Sequence, residues 1–294
     1  MSSWPDPSVS NANKPPLPIG VVHLWRWRTD NVCRDRLCIE ILSPDERERL
    51  SRLGTERQQL RFCVARLGLR SLLSGYAGVP PGALRFEYDS AGKPRISPNH
   101  GEEIRFNLSH SGDWVVLALV RGAEIGVDLE LIRQVPTLIS LAERFFSERE
   151  FSILNSREGK DREILFFRLW TCKEAVLKAI GKGLTYPLEK VEVPWLCCSE
   201  VCVAHSPIET ILDRAGDKDG PLVLDRVHQI QIDEVGLDPM VSSRWWVVEF
   251  IPAFGYIGAL AIDRQPAQVE FFTWNGLTSA HTDGGASTST QPIA

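Results

Sequence analysis

The stretch from Ile164 to Ile180 constrains this chain more than any other. Leu169, Trp170, Val176, Leu177 and Ile180 make it apolar around most of a helical wheel, and Gly181 supplies the residue that most readily ends a helix. Thr171, Glu174 and Lys178 stand at i, i+3 and i+7 and form one polar stripe. A helix this apolar has to be covered by other elements of a packed domain. The stripe has two readings. It is either an ordinary Glu174–Lys178 ion pair, worth about 0.2–0.5 kcal/mol on a helix surface, or a pair of groups held toward a ligand.

Alternating apolar residues predict strands over Val21–Trp27, Trp114–Val120, Ile125–Glu130, Trp245–Ile251 and Ile257–Ile262. The spacing pairs the last two as a hairpin turned by Pro252 to Gly255. It pairs Trp114–Val120 with Ile125–Glu130 through Arg121, Gly122, Ala123 and Glu124. Ser43 as an N-cap, Pro44 at the first helical position and Asp45 and Glu46 in the first turn start a helix. Further helices are expected over Leu60–Leu73 and Ile139–Arg144, and Asp89 to Pro94 reads as a turn. The mixture predicts an α+β fold. There is also an echo: Ser43 to Glu48 resembles Ser147 to Glu150, and Arg66-Leu67 resembles Arg168-Leu169. A separation of about a hundred residues predicts two similar lobes with a cleft between them.

Composition narrows the function. With 43% apolar and 24% charged residues the chain is in the globular range, and its net charge of -5 gives no bulk attraction to nucleic acid or an anionic membrane. The apolar run Trp114–Val120 is too short to span a bilayer. Five prolines between Pro5 and Pro18 predict an irregular arm over residues 1–20. The Ser, Thr and Gly residues after 279 predict a disordered tail to residue 294. Seven cysteines, an odd number, and the lack of a secretory leader predict free thiols in the reducing cytoplasm. Cys197, Cys198, Cys202 and His205 lack zinc-ligand spacing, and Asp217 to Gly220 reads as a surface turn.

Three short stretches carry chemistry. In Ile125–Glu130, Asp128 and Glu130 fall on one face of the strand with Cα atoms roughly 6.5–7 Å apart. Two carboxylates so placed repel each other unless solvent or a cation lies between them. The stripe on the long helix offers a third carboxylate, Glu174, and a cation, Lys178, which together suit a divalent ion with a polyphosphate. The stretch Phe106 to Val116 contains Ser109, His110 and Ser111, but no G-x-S-x-G elbow and no separated triad, so it fits anion binding rather than acyl transfer. Neither a P-loop nor a G-x-G-x-x-G fingerprint is present.

The stretch GVDLE, followed by W-x-x-K-E-A-x-x-K, resembles the signature of 4′-phosphopantetheinyl transferases of the larger, surfactin-synthetase type. SPDERER, AGKP, FNLSHS and RFFSERE support the resemblance in order, which covers roughly residues 20–262. It implies a pair of pseudo-symmetric α/β lobes, over 21–122 and 123–265, with the site in the cleft between them and a tail over 266–294. It implies transfer of 4′-phosphopantetheine from coenzyme A to a serine of an apo carrier protein, with Mg²⁺, or Mn²⁺ in its place, and release of 3′,5′-ADP. Carried over, Asp128, Glu130 and Glu174 are the metal carboxylates and Lys178 the pyrophosphate contact. Ser109, His110 and Arg49 lie toward the 3′-phosphate, and Ala91, Gly92, Lys93 and Pro94 form the adenine-side loop. Glu150 and Glu174 compete as the base. The implied partners are acyl, peptidyl or aryl carriers of fatty acid, polyketide or nonribosomal peptide synthases, and the implied state is a monomer. The rival readings are another Mg²⁺-dependent phosphoryl or nucleotidyl transferase, and an inactive coenzyme A or carrier-binding module.

Overall fold

The computed structural model describes residues 16–30, 32, 37–100, 104–183, 186–193, 223–231, 244–276 and 288–292. Two sheets stack face to face, and the helices cover their outer faces. The first sheet joins β1 (Val21–Arg28), β4 (Ile104–Ser111), β5 (Trp114–Arg121), β10 (Gln268–Thr273) and β11 (Thr288–Pro292) in the order β11-β10-β1-β5-β4. The second joins β6 (Ile125–Leu131), β7 (Val223–Gln231), β8 (Arg244–Ile251) and β9 (Tyr256–Ile262) in the order β6-β9-β8-β7. A small hairpin pairs β2 (Phe86–Tyr88) with β3 (Pro94–Ile96). The helices are α1 (Pro44–Ser51), α2 (Glu56–Ala77), α3 (Leu138–Phe145), α4 (Glu148–Asn155) and α5 (Gly159–Ile180).

Strand alternation accounts for the layers. On β5, Val115, Leu117 and Leu119 pack under α2, whereas Trp114, Val116, Ala118 and Val120 face the second sheet. On β9, Leu260 and Ile262 face the first sheet, and Ile257, Ala259 and Ala261 pack under α5. These two central strands, β5 and β9, are therefore apolar on both faces.

The two halves share a helical plan. Ser43 and Glu46 close a capping box on α1, and Ser147 and Glu150 close another on α4. The helix that follows each, α2 or α5, ends on a glycine in the left-handed region, Gly78 (φ 69°) or Gly181 (φ 74°). Each box glutamate then meets a buried cation from that long helix: Glu46 takes Arg70 at 2.6 Å and Glu150 takes Lys173 at 2.7 Å.

Several expectations are corrected. Trp114–Val120 and Ile125–Glu130 are both strands, but they are not a hairpin. The turn at Gly122 (φ 70°) carries the chain from the first sheet into the second, and β5 pairs instead with β1 and β4. Residues 266–294 are not all tail: β10 runs parallel to β1, with Val269, Phe271 and Phe272 in the core. Residues 288–292, expected to be disordered, pair with β10 as its edge neighbour. A sheet edge recruits a strand through backbone groups, which a Ser/Thr-rich segment supplies as well as any other. Residues 1–15, the cysteine-rich stretch 197–205 and the turn 217–220 lie outside the described residues. Among the described residues Cys38, Cys63 and Cys172 are free.

Candidate functional site

Gly126 sets the geometry of the site. It lies on β6 on the same face as Asp128 and Glu130, and a Cβ there would come 2.1 Å from the Ala175 carbonyl and 2.3 Å from the Ala179 nitrogen. Only glycine lets α5 lie directly on the strand. Because α5 crosses at Ala175 and Ala179, its neighbours Glu174 and Lys178 hang over Asp128 and Glu130. Lys178 donates from Nζ to Asp128 Oδ1 at 2.6 Å.

The first sheet reaches the site through its edge strand β4, which lies against β6. Asn107, Ser109 and Ser111 alternate along one face of β4 and stitch it to β6 by side chains. Val127 donates its N–H to Asn107 Oδ1 (2.9 Å) and Leu131 donates to Ser111 Oγ (3.0 Å). Ser109 donates to Asp128 Oδ1 (3.0 Å) and accepts from Lys178 (3.0 Å), and Ser111 donates to Glu130 Oε2 (3.0 Å). The polar alternation in FNLSHS is thus a seam between two sheet edges.

His110 projects to the opposite face of β4, toward α1 and α2. There it lines a cleft of about 390 Å³ with Arg49, Phe62, Ser109, Asp128 and Lys178. Ser109 and His110, expected to contact the same part of a ligand, therefore reach the cleft from different faces of one strand. Arg49 stacks over Phe62 at 5.5 Å and has no ion-pair partner among the described residues.

The electrostatics are strained on the acidic side. Burial pushes the Glu174 carboxyl up; Asp128 and Glu130 push it further, and Lys178 opposes them. Burial also raises Glu130, with Asp128 adding to the shift and Ser111 and Arg133 offsetting part of it. Asp128 Oδ2 is buried and has no hydrogen-bond partner. Among the described residues no three carboxylate, imidazole or thiol groups are already gathered into a coordination shell. On the basic side His110 stands exposed at the cleft rim, yet the protein packed around it, and then Lys178, Arg61 and Arg49, hold its imidazole below the usual range.

Two expected members of the site are elsewhere. Glu150 is fully buried. It accepts from the Ser147 and Val193 backbone N–H groups at 2.9 and 3.0 Å and pairs with Lys173, so it holds α4 to α5 and has no lone pair open to the cleft. The turn Ala91, Gly92, Lys93, Pro94 joins β2 to β3 and does not line the cleft. Lys93 is buried, and its ammonium goes to Glu124 (3.1 Å) and to the Ala179 carbonyl (2.8 Å) at the end of α5. Phe62 and Arg66 complete the cleft wall from α2; the sequence left the contacts around Arg61 and Phe62 open and missed Arg66, for which the i, i+4 spacing from Phe62 was the available signal.

Comparison with known proteins matches residues 124–219 to the 4′-phosphopantetheinyl transferase superfamily and residues 26–121 to the family described as 4′-phosphopantetheinyl transferase, N-terminal. The chain is 38% identical over 198 residues to the 4′-phosphopantetheinyl transferase HetI of Nostoc sp., covering 67% of this chain and 83% of that one. It is 32% identical over 173 residues to the 4′-phosphopantetheinyl transferase Sfp of Bacillus subtilis, covering 58% and 75%. It is 25% identical over 249 residues to the L-aminoadipate-semialdehyde dehydrogenase-phosphopantetheinyl transferase of Rattus norvegicus, covering 81% and 77%.

Proposed function

We propose, from the premise that the chain belongs to the 4′-phosphopantetheinyl transferase superfamily, a Mg²⁺-dependent transfer of 4′-phosphopantetheine from coenzyme A to a serine of an apo carrier protein. The enzyme class comes with membership; the metal, the donor and the residue roles are our reading. Two lobes, residues 21–122 completed by β10 and β11 and residues 123–265, enclose the cleft from a single chain in this reading, and we take the enzyme to be a cytoplasmic monomer. Among the described residues no helix is long and apolar enough to cross a membrane.

The observation that carries the metal is the unpartnered, buried Asp128 Oδ2 beside two carboxyls held high by burial and by one another. A hard dication takes oxygen ligands of this kind and relieves that repulsion. Asp128, Glu130 and Glu174 would hold Mg²⁺, which when bound polarises a phosphoryl oxygen and neutralises pyrophosphate charge. The protein does the rest. Arg49 and His110 bind the phosphate charge on the α1–α2 side, and Lys178 reaches the pyrophosphate from α5. The carrier serine oxygen bonds to the β-phosphorus as the bond to the departing 3′,5′-ADP oxygen breaks. With Glu150 locked in the core, Glu174 is the carboxylate left to take the serine proton, through whichever oxygen the metal leaves free.

The carriers we expect are acyl, peptidyl or aryl carrier domains. The test is mass spectrometry of several apo carriers incubated with coenzyme A, with and without Mg²⁺. A phosphopantetheine mass gain that needs Mg²⁺ supports the reading. A gain that persists in excess chelator would remove the metal, and no gain on any carrier would remove the reaction.

A further inference from the structure

The turn between β4 and β5 is anchored from three sides. Thr29, just past β1, donates its N–H to the Asp113 carbonyl at 2.9 Å. From α2, Arg61 and Arg57 reach Asp113 Oδ1 at 2.5 and 3.4 Å. The third anchor comes from the other sheet: Asp113 donates its N–H to Tyr256 Oη at 3.2 Å. The fit is close, since a Cβ on Gly112 would lie 2.2 Å from that same Oη. Gly112 has φ 56°, and it lets the chain turn back between Ser111 and Trp114 while leaving room for the hydroxyl.

Both ends of this contact adjoin the site. Tyr256 pairs with Leu131 in the β6–β9 ladder, next to Glu130. Ser111, directly before the turn, bonds Glu130 and accepts from Leu131. His110 precedes Ser111, and Arg61, which holds Asp113, acts on His110 electrically. The Tyr256 ring is buried, and it does not line the cleft.

We propose that Tyr256 is a positioning residue for coenzyme A binding: its hydroxyl fixes the Gly112–Asp113 turn against the second sheet and so sets the distance between His110 on one lobe and Glu130 on the other. It touches neither donor nor carrier. The proposal rests on the donor assigned above.

The test compares the full-length chain with Tyr256→Phe, which keeps the buried ring and removes the hydroxyl. Calorimetric affinity for coenzyme A, and KM and kcat for carrier modification, are measured well below the melting temperature. Losing one hydrogen bond that places the binding groups should weaken coenzyme A binding and raise its KM by about three- to tenfold, with kcat within about twofold. A second variant, Gly112→Ala, drives a methyl group at the hydroxyl. Its left-handed backbone cost is the same in either background, so it cancels in a double-mutant cycle. The affinity loss from Gly112→Ala should therefore be smaller in the Tyr256→Phe background than in the parent. Unchanged affinity and KM in Tyr256→Phe, or a fall in melting temperature alone, overturns the proposal, as does strict additivity of the two variants. A parent that binds no coenzyme A overturns the donor assignment instead, and the proposal goes with it.

Discussion

Lys178→Met separates two roles that one ammonium group plays in this cleft. The substitution keeps the unbranched shape and helix propensity of the side chain, shortens it by one atom and removes its charge. Lys178 lies 2.6 Å from Asp128 Oδ1, with side-chain exposures of 29% and 7%. A dication drawn to Asp128 has to compete with that ammonium. For unit charges about 4 Å apart at an effective dielectric of about 20, the attraction is about 4 kcal/mol. Solvent around the partly exposed lysine screens much of it, leaving about 1–2 kcal/mol for a metal to recover. Metal affinity without coenzyme A should therefore rise about five- to thirtyfold in the variant, measured by Mg²⁺ calorimetry or by Mn²⁺ electron paramagnetic resonance. Coenzyme A affinity should fall by a similar factor, because the pyrophosphate loses its cation. Metal binding that is unchanged or weaker in Lys178→Met would refute the reasoning, since the lysine and the metal would then not share Asp128.

Four further outcomes are expected. Asp128→Asn should retain its circular dichroism spectrum and lose at least about a hundredfold in turnover; near-parental turnover in Mg²⁺ would remove Asp128 from the site. Glu150→Gln leaves Lys173 buried without its counter-charge, so urea unfolding should show a loss of about 3–5 kcal/mol while the folded enzyme turns over normally. A collapse of kcat at parental stability would restore Glu150 as the base. His110 is held below the usual histidine value, so the folded state takes up its proton less readily than the unfolded chain. Its contribution to stability is present above a pH of about 6.5 and is lost as pH falls below it. Coenzyme A anions should draw a proton onto the ring, making the binding heat depend on the ionisation enthalpy of the buffer; a buffer-independent heat would contradict this. Gly126→Ala should cost about 1–3 kcal/mol by overpacking and lower turnover well beyond that, because Glu174 and Lys178 ride on the displaced helix. Parental turnover there would show that α5 tolerates the shift.

What the sequence made legible follows from what each signal measures. Period-two alternation reports which residues face a core, so the strands at 21–27, 114–120, 125–130, 245–251 and 257–262 were found close to their true extents. Alternation does not report neighbours. For that reason β5 and β6, adjacent in sequence, were joined as a hairpin although they lie in different sheets. β10 was passed over because its six residues precede a Ser/Thr-rich segment. In the site, strand and helix periods alone gave two separate pairs, Asp128 with Glu130 and Glu174 with Lys178, and the family resemblance brought them together. The β4–β6 seam could not be read this way, because nothing in FNLSHS says which strand its hydroxyls will meet. Glu150 was misplaced because an acid three residues after Ser147 is also the mark of a capping box, and the box is what it serves.

The internal repeat distinguishes scaffold from site. The interval that carries Gly78 onto Gly181 also carries Arg70 onto Lys173, and both of these cations are buried on the glutamate of their own capping box. Positions whose chemistry recurs in this way hold a long helix against the segment before it, and they say nothing about catalysis. The same interval carries Trp25 onto Asp128, Trp27 onto Glu130, Ser71 onto Glu174 and Gly75 onto Lys178. Trp25 and Trp27 face α2 from the middle of the first sheet and fill its apolar core. Asp128 and Glu130 face α5 in the corresponding way, from a strand at the sheet edge. A carboxylate pair at the tryptophan positions would be buried with no cation beside it, since the polar group there, the Tyr76 hydroxyl, already serves Trp25 and His23. At the edge strand β6 it has Ser109, Ser111 and Lys178 beside it and open space in front. The acids therefore sit where the second lobe departs from the first, at the place where two sheet edges meet, and this asymmetry accounts for a carboxylate pair in only one of the two corresponding places among the described residues.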